Sequence, residues 1–359
     1  MNFTFDTITP VREIVIVIAD LYLPRELRSP AGDGFTNIPG IERIARFGAC
    51  ASLPHGWRNW LLATIGRADL QEVAPACIAA AALETGSDAA ATAQHAPAAV
   101  TRWIATAVHV RAGLTSAQLD RRGLLRLAPA EQTTLAADFA GHFGSAHYTL
   151  VPLPAGEFLL GTPGLTPYAV AEPARHAGAV LEQLMPPGPA TAPLRRLLTE
   201  IEMWLHAHPL NEARRARGAP PITALWPWGA TGRIVQPEAR ALSGLQAAFG
   251  RDAWLEGLWR LQGGTCRPVP QQLEQVLAAG ASLAVLTVEV GGELCDERDT
   301  VAAALSRLDE RFITPALQAL GRRTLTGVTV VLNDARVRVG RGSLRRFWRR
   351  PVRGLAGFS

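Results

Sequence analysis

Apolar residues recur along this chain in two distinct periods. Arg12 to Asp20, REIVIVIAD, is a continuous β-branched run closed by an acid. Such a run reads as a strand of a parallel sheet, buried on both faces. Ser282 to Val290 and Gly327 to Leu332 repeat the pattern near the other end. Between and beside them the period is helical. Ile38, Ile41, Ile44, Ala45 and Phe47 form one stripe, with Gly48 as its stop. Leu194, Leu197, Leu198, Ile201, Trp204 and Leu205 form another over Leu194 to His208. Helical character is also expected over Trp57 to Leu83, with Pro75 starting or kinking a second helix. Further helices are expected at Pro129 to Phe143, Pro268 to Gly280, Asp299 to Leu308 and Ile313 to Leu320. The middle reads differently: TRWIATAVHVRAGL, HYTLVPLP and EFLLGTP are short strand-like runs, the last two forming a plausible hairpin around Ala-Gly. Ile222 to Trp228 is a further strand. Strands alternating with helices imply an α/β fold with a mostly parallel sheet.

Two interruptions divide the 359 residues. Glu84 to Pro97 is an Ala-rich, low-complexity stretch, and Met185 to Pro193 is rich in proline. They suggest a first part of the core over 1–97, an inserted α+β region over 98–190 and a second part of the core over 191–359.

Charged residues make up 19% of the chain against 48% hydrophobic, which excludes a disordered protein. No apolar run approaches the roughly 20 residues that span a bilayer, so no membrane segment is expected. The N-terminus lacks a basic start and an apolar core of the secretory kind, so a cytoplasmic location is expected. Lysine is absent, and the +5 formal charge is carried by arginines, which read as the codon bias of a GC-rich bacterial genome. Only the tail RVRVGRGSLRRFWRRPVRG concentrates them. It reads first as a solvated last strand and helix; nucleic acid is its less favoured partner. Cys50, Cys77, Cys266 and Cys295 show no zinc-like spacing and read as separate thiols.

The richest stretch is WLHAHPLNEARRARGAPPITALWPWGATG, Trp204 to Gly232. Arg214, Arg215, Arg217 and Arg233 offer guanidinium forks that match phosphate, with a solvated helix face as the rival reading. Trp226 and Trp228 share one face of a strand and suit core packing or a ligand wall. His206 and His208, two apart, diverge by about 200° on a helix and would chelate one ion only where the helix ends.

The skeleton of this stretch, HP-x-N-x-x-R-x-x-x-G-x-P before an apolar strand, resembles the archaeal-type cofactor-independent phosphoglycerate mutases of the alkaline phosphatase superfamily. The LWPWG strand resembles bacterial relatives, some labelled Rpf-type regulatory proteins. IPGIERIARFG is similar to a mutase helix, and LAVLTVEVGGELCDERDTVAAALSRLDERFITPAL and VVLNDARVRVG are similar in layout to two metal-binding segments. The resemblance implies an alkaline-phosphatase-like core with an inserted cap. It makes His208, Asn211, Arg214, Arg217 and Arg233 substrate-binding candidates, and it puts Asp20 and Asp334 where two metal-binding acids stand. Glu289, Asp299, Asp309 and Pro315 keep their places. Departures fall at the chemistry: Val290, Gly291, Gly292, Leu294 and Cys295 replace metal-binding residues, and Ala335 stands where a histidine is expected. The cap's Arg-Cys-Asn pattern is missing around Val108 and His109. The nucleophile region offers only Thr64, which reads as a structural residue.

A two-metal phosphoryl-transfer site needs carboxylates and imidazoles on both ions. The expectation is therefore a phosphoglycerate-mutase-like protein with a degenerate site, needing no cofactor, that binds a protein partner or a phosphorylated small molecule. An alternative is an active phosphohydrolase or phosphomutase holding manganese or zinc in a rearranged site, with His55, His109, His206 or His208 recruited. A nucleic-acid-associated protein working through its tail is a second alternative.

Overall fold

The run that opens the chain becomes the middle of a sheet. In the computed structural model, which describes residues 12–19, 21–22, 37–83, 100–112, 117–176, 180, 188–233, 238–240, 246–289, 301–332, 334–345, 348–352, 355 and 358, the chain forms a mixed α/β protein of two compact units. The first is 1–71, 241–251 and 265–359; the second is 72–240 and 252–264. The expected divisions at 97/98 and 190/191 fall elsewhere. The proline-rich stretch does not return the chain to the first unit, because Ala224 to Trp228 pairs with Ile104 to Val108 of the middle region and takes 191–240 with it.

In the first unit, β1 (Glu13–Ile18) lies between β10 (Gly327–Leu332) and β9 (Leu283–Val288), parallel to both. β8 (Gln246–Phe249) adds a parallel edge beyond β9, and β11 (Ala335–Gly340) returns antiparallel to β10. β2 (Ala49–Ser52) closes the other edge, antiparallel to β11. β11 alone therefore runs against the other five strands. Continuous burial of Ile14 to Ile18, Ala284 to Val288 and Val328 to Leu332 matches the unbroken apolar runs of the three inner strands.

Helices cover the sheet through their apolar stripes. α1 (Pro39–Phe47) buries Ile41 and Ile44, and α9 (Val301–Leu308) buries Leu305 and Leu308. α10 (Thr314–Gly321) follows α9 through a single wide π-helical stretch, Asp309–Ile313. Pro315 explains the widening: it has no N–H to continue the ladder, and the π turn absorbs the missing bond. α2 (Gly56–Thr64) follows β2, and the short α8 (Leu273–Leu277) is all that forms of the helix expected over Pro268 to Gly280. Phe312 and Ile313 from the π stretch enter the same core. Each such side chain contributes about 2–3 kcal/mol by leaving water.

The second unit is built on β3 (Val100–Ala112), thirteen residues long, which pairs antiparallel with β4 (Ala117–Leu124), β6 (Phe158–Pro163) and β7 (Ala224–Trp228). β5 (Thr149–Pro152) and β6 form the expected hairpin, Pro152 facing Phe158. Its turn needs left-handed backbone at Ala155 (φ 62°) and Gly156 (φ 78°). α4 (Pro129–Phe143) spans the expected residues, and α5 (Ala192–His206) and α6 (Pro209–Ala216) follow one another. α3 (Pro75–Ala80) starts at the predicted proline and packs on α7 (Ala253–Arg260). That packing is close because Gly257 has no side chain; a Cβ there would meet the Ile78 carbonyl at 1.9 Å. No helix among the described residues is long and apolar enough to cross a membrane.

Candidate functional site

Ligands of open α/β sheets gather at the carboxyl ends of the strands. In the first unit β1 ends at Ile18, and Asp20 lies outside the described residues. β9 ends at Val288; Glu289 is described, whereas Val290 to Thr300, including Asp299 and Cys295, is not. β10 ends at Leu332, and Asp334 sits in the turn that reverses the chain into β11. Its carbonyl accepts the Leu53 N–H at 2.6 Å. That bond ties the turn to the segment entering α2. Ala335 faces Leu332 in the ladder, so a buried methyl stands beside Asp334.

The first turn of α2 is where a nucleophile would gain from the positive end of the helix dipole. It reads Gly56, Trp57, Arg58 and Asn59, after His55 at the N-cap, and it carries no hydroxyl. Trp57 is buried there at 1% exposure. Thr64 is the last residue of the same helix, exposed at the negative end, and its hydroxyl donates to the Trp60 carbonyl at 2.8 Å. Lowering its pKa is the opposite of what that end of a dipole does.

The metal that the mutase resemblance implies needs an acid-and-imidazole donor set. Among the described residues, no group of three or more His, Cys, Asp or Glu is placed to hold an ion. Among the described residues, Asp334 beside the Ala335 methyl, a first turn of α2 without hydroxyl, and Thr64 turned to its own helix do not by themselves supply a two-metal donor set; Asp20 and 290–300 lie outside the described residues.

Asp309 has a different task. Its Oδ2 accepts the Gly40 N–H at 2.9 Å and its Oδ1 the Ile41 N–H at 2.6 Å, while the Thr314 hydroxyl donates to Oδ2 at 3.0 Å. It caps the start of α1 from the π stretch. Burial pushes its carboxyl above the ordinary range, against the pull of the two amides and the hydroxyl.

In the second unit the segment from Trp204 forms a buckle between α5, α6 and β7. His208 is the N-cap of α6: its Nδ1 accepts the Leu210 N–H at 3.2 Å, and its Nε2 lies 3.3 Å from Asp138 Oδ2 on α4. Its ring meets Trp204 edge-on at 4.7 Å. His206 ends α5 and is exposed, so the two histidines are parted by the helix break. Asn211 is 1% exposed and makes three bonds of 2.7 Å: its amide donates to the Leu205 and Ile222 carbonyls, and its oxygen accepts the Ile222 N–H. The side chain thus stands in for a strand partner of the chain entering β7.

Arg214 donates from Nε to the Pro220 carbonyl and from Nη1 to Glu131 Oε1, both at 2.8 Å. Arg217 donates to the same Glu131 oxygen. Glu131 therefore fills the place between two guanidiniums that an anionic ligand would take. Burial alone would raise its pKa, but hydrogen bonds from Arg217, the Ala128 N–H and Arg214 hold it below its ordinary value of 4.5. Arg233 lies apart from this cluster in sequence and is exposed; its backbone N–H donates to the Glu72 carbonyl and its carbonyl accepts the Ala74 N–H. Trp226 donates to the Ala171 carbonyl at 2.9 Å and Trp228 to Thr106 Oγ1 at 3.0 Å, and both are buried in the core of the unit. Sequence patterning missed Glu131 and Asp138, the acids that receive Arg214 and His208; a capping-box position on α4 was the one signal for Glu131, whose Oε2 also accepts the Ala128 N–H.

Among solved structures the chain is similar to a cofactor-independent phosphoglycerate mutase. That structure comes from Thermoplasma acidophilum DSM 1728; the identity is 16% over 97% of this chain and 95% of that one, with a TM-score of 0.41. The PH0037 protein from Pyrococcus horikoshii is similar at 14% identity over 92% of this chain and 88% of that one, with a TM-score of 0.45. No family model matches the chain, and no curated protein matches it. At these scores neither likeness bears on what this chain does.

Proposed function

We propose that the chain is a phosphoglycerate-mutase-like protein with an alkaline-phosphatase-like core, whose phosphoryl-transfer centre has decayed and which serves as a binding or regulatory protein. The observation that carries the reading is the first turn of α2. It is tied to the Asp334 turn through Leu53, yet it presents Gly56, a buried Trp57 and Arg58 in place of a hydroxyl nucleophile. Support comes also from Asp309 and Asn211, which the resemblance shares with active enzymes and which here are consumed in holding helices and loops. A protein partner is the ligand class that suits a scaffold of this kind; a phosphorylated small molecule is the other.

The test is metal content and turnover together. Protein purified without chelators, soaked in manganese and desalted, is expected to keep far less than one ion per chain and to leave 3-phosphoglycerate and simple phosphate monoesters unchanged. Near-stoichiometric metal that is lost in Asp20→Ala or Asp334→Ala, with turnover, would overturn the reading.

A further inference from the structure

The sheet of the first unit gathers arginines at the end away from Asp334. β1, β10 and β11 are in register, so that Glu13 faces Gly327 and Gly327 faces Gly340. The residues that enter β1, enter β10 and leave β11 therefore share one end of the sheet. These positions carry Arg12, Arg322, Arg323, Arg338, Arg341 and Arg345, all exposed. Bonds fix the gathering. The Arg12 carbonyl accepts the Thr326 N–H at 2.7 Å, and the Arg341 guanidinium donates to the carbonyls of Leu325 at 2.9 Å and Arg323 at 2.7 Å. Against them, β1, β10, β11 and the segments 321–326 and 341–345 contain one carboxylate, Glu13, which pairs with Arg338.

The C-terminal segment extends this surface. Arg349 donates to the Gly48 carbonyl at 2.6 Å, and Gly48 lies beside Arg338, whose carbonyl is 3.2 Å from where a Gly48 Cβ would stand. Its neighbour Trp348 is 69% exposed, and Arg350 is exposed as well. Adjacent strands are about 4.8 Å apart, so arginines on three neighbouring strand ends form a row able to follow successive phosphates of one strand. Guanidinium forks suit phosphate, and an outward indole suits a base face.

We infer that this end of the first unit's sheet binds single-stranded nucleic acid, with Arg322, Arg323 and Arg345 on backbone phosphates and Trp348 stacking on a base. The fold supplies what the tail alone does not: it adds Arg12, Arg322 and Arg323, from two distant parts of the sequence, to the tail arginines.

The experiment is fluorescence anisotropy of the full chain with a labelled oligo-dT of about 30 nucleotides, long enough for one site, over a series of salt concentrations. The expected result is binding whose log affinity falls with log salt by about 0.7 per phosphate contacted. The triple variant Arg322→Gln, Arg323→Gln, Arg345→Gln is expected to flatten that slope by about 2. Trp348→Ala is expected to weaken binding roughly fivefold or more with the slope kept. Arg195→Gln with Arg196→Gln, exposed on the second unit, is expected to change neither, and thermal melts confirm that each variant folds. The inference is overturned by absence of binding, by a triple variant that binds as wild type does, or by an equal effect from the second-unit pair. Equal affinity for polyglutamate, with Trp348→Ala silent, would overturn it in favour of an acidic protein.

Discussion

Asp309 Oδ2 accepts the Gly40 N–H at 2.9 Å although 269 residues separate the two. With the Ile41 amide on its other oxygen, Asp309 closes the start of α1 from within the π stretch between α9 and α10. Asp309→Ala leaves two amides without this acceptor and is expected to cost about 3 kcal/mol. Asp309→Asn, which keeps one acceptor, is expected to cost about half as much. Gly40→Ala tests the same contact from the other side, because a Cβ there would lie 2.6 Å from Asp309 Oδ1 and 2.6 Å from Thr314 Oγ1. Urea denaturation of the three variants measures all of this.

The Glu131 carboxylate is expected to matter as the counter-charge of a buried guanidinium. The Arg214 side chain is 5% exposed, whereas that of Arg217 is 51% exposed. Arg214 therefore carries the cost, and Glu131→Gln is expected to lose about 3 kcal/mol. Arg217→Gln is expected to lose well under 1 kcal/mol, since its charge is screened by water.

Glu131 also sets a pH dependence with a definite sign. Its folded pKa lies below 4.5, so its contribution is fully present above that value and disappears as pH falls through the folded one. Denaturation at pH 7 and again below pH 4 is expected to show the wild type and Glu131→Gln converging in acid. A gap that widens in acid would contradict the assignment.

Asn211→Ala removes three bonds of 2.7 Å and takes from the Ile222 N–H and the Ile222 carbonyl the partner they have in a buried place, while the Leu205 carbonyl keeps the His208 N–H. A loss of about 3 kcal/mol is expected. Asn211→Asp is expected to do at least as much damage, because a carboxylate would face the carbonyls of Leu205 and Ile222 that now accept from an amide. Thermal melts separate this structural role from ligand contact: a ligand-contact residue would leave the melt of the free protein unchanged.

Thr64→Ala is expected to shift stability by no more than about 0.5 kcal/mol, since the hydroxyl is exposed and bonds its own helix. It is also expected to leave any phosphate-ester hydrolysis by the preparation unchanged. A loss of turnover in this variant would restore the threonine as a nucleophile.

The inner strands were legible because burial on both faces leaves an unbroken apolar run, as at Ile14 to Ile18 and Val328 to Leu332. The stripes of α1 and α5 and the prolines that open α3 and α4 were legible by period and backbone chemistry. β2 and β8 were not: each has four residues, and ACAS and QAAF carry no period long enough to read. The unit boundary at 240 was hidden because β7 is assigned by its partner strand, β3, more than a hundred residues earlier. The arginines of 214–217 gave a cradle by type and spacing, while the acid that fills it comes from another helix, at Glu131. Arg215 and Arg217 of that segment are exposed, as is Arg233 further on, and Asp20 lies beyond the described residues.

The chain passes from one unit to the other four times, at 71/72, 240/241, 251/252 and 264/265. No contiguous fragment can then carry the second unit alone. A piece cut at 72 and 264 keeps 241–251, and with it β8, the edge of the other sheet. The remainder would be left with β9 as a bare edge, its backbone donors and acceptors open to strand exchange between molecules. Expression of either half is a poor route to its ligand, and a circularly permuted or internally relinked chain must supply a new outer strand beside β9 to stay soluble.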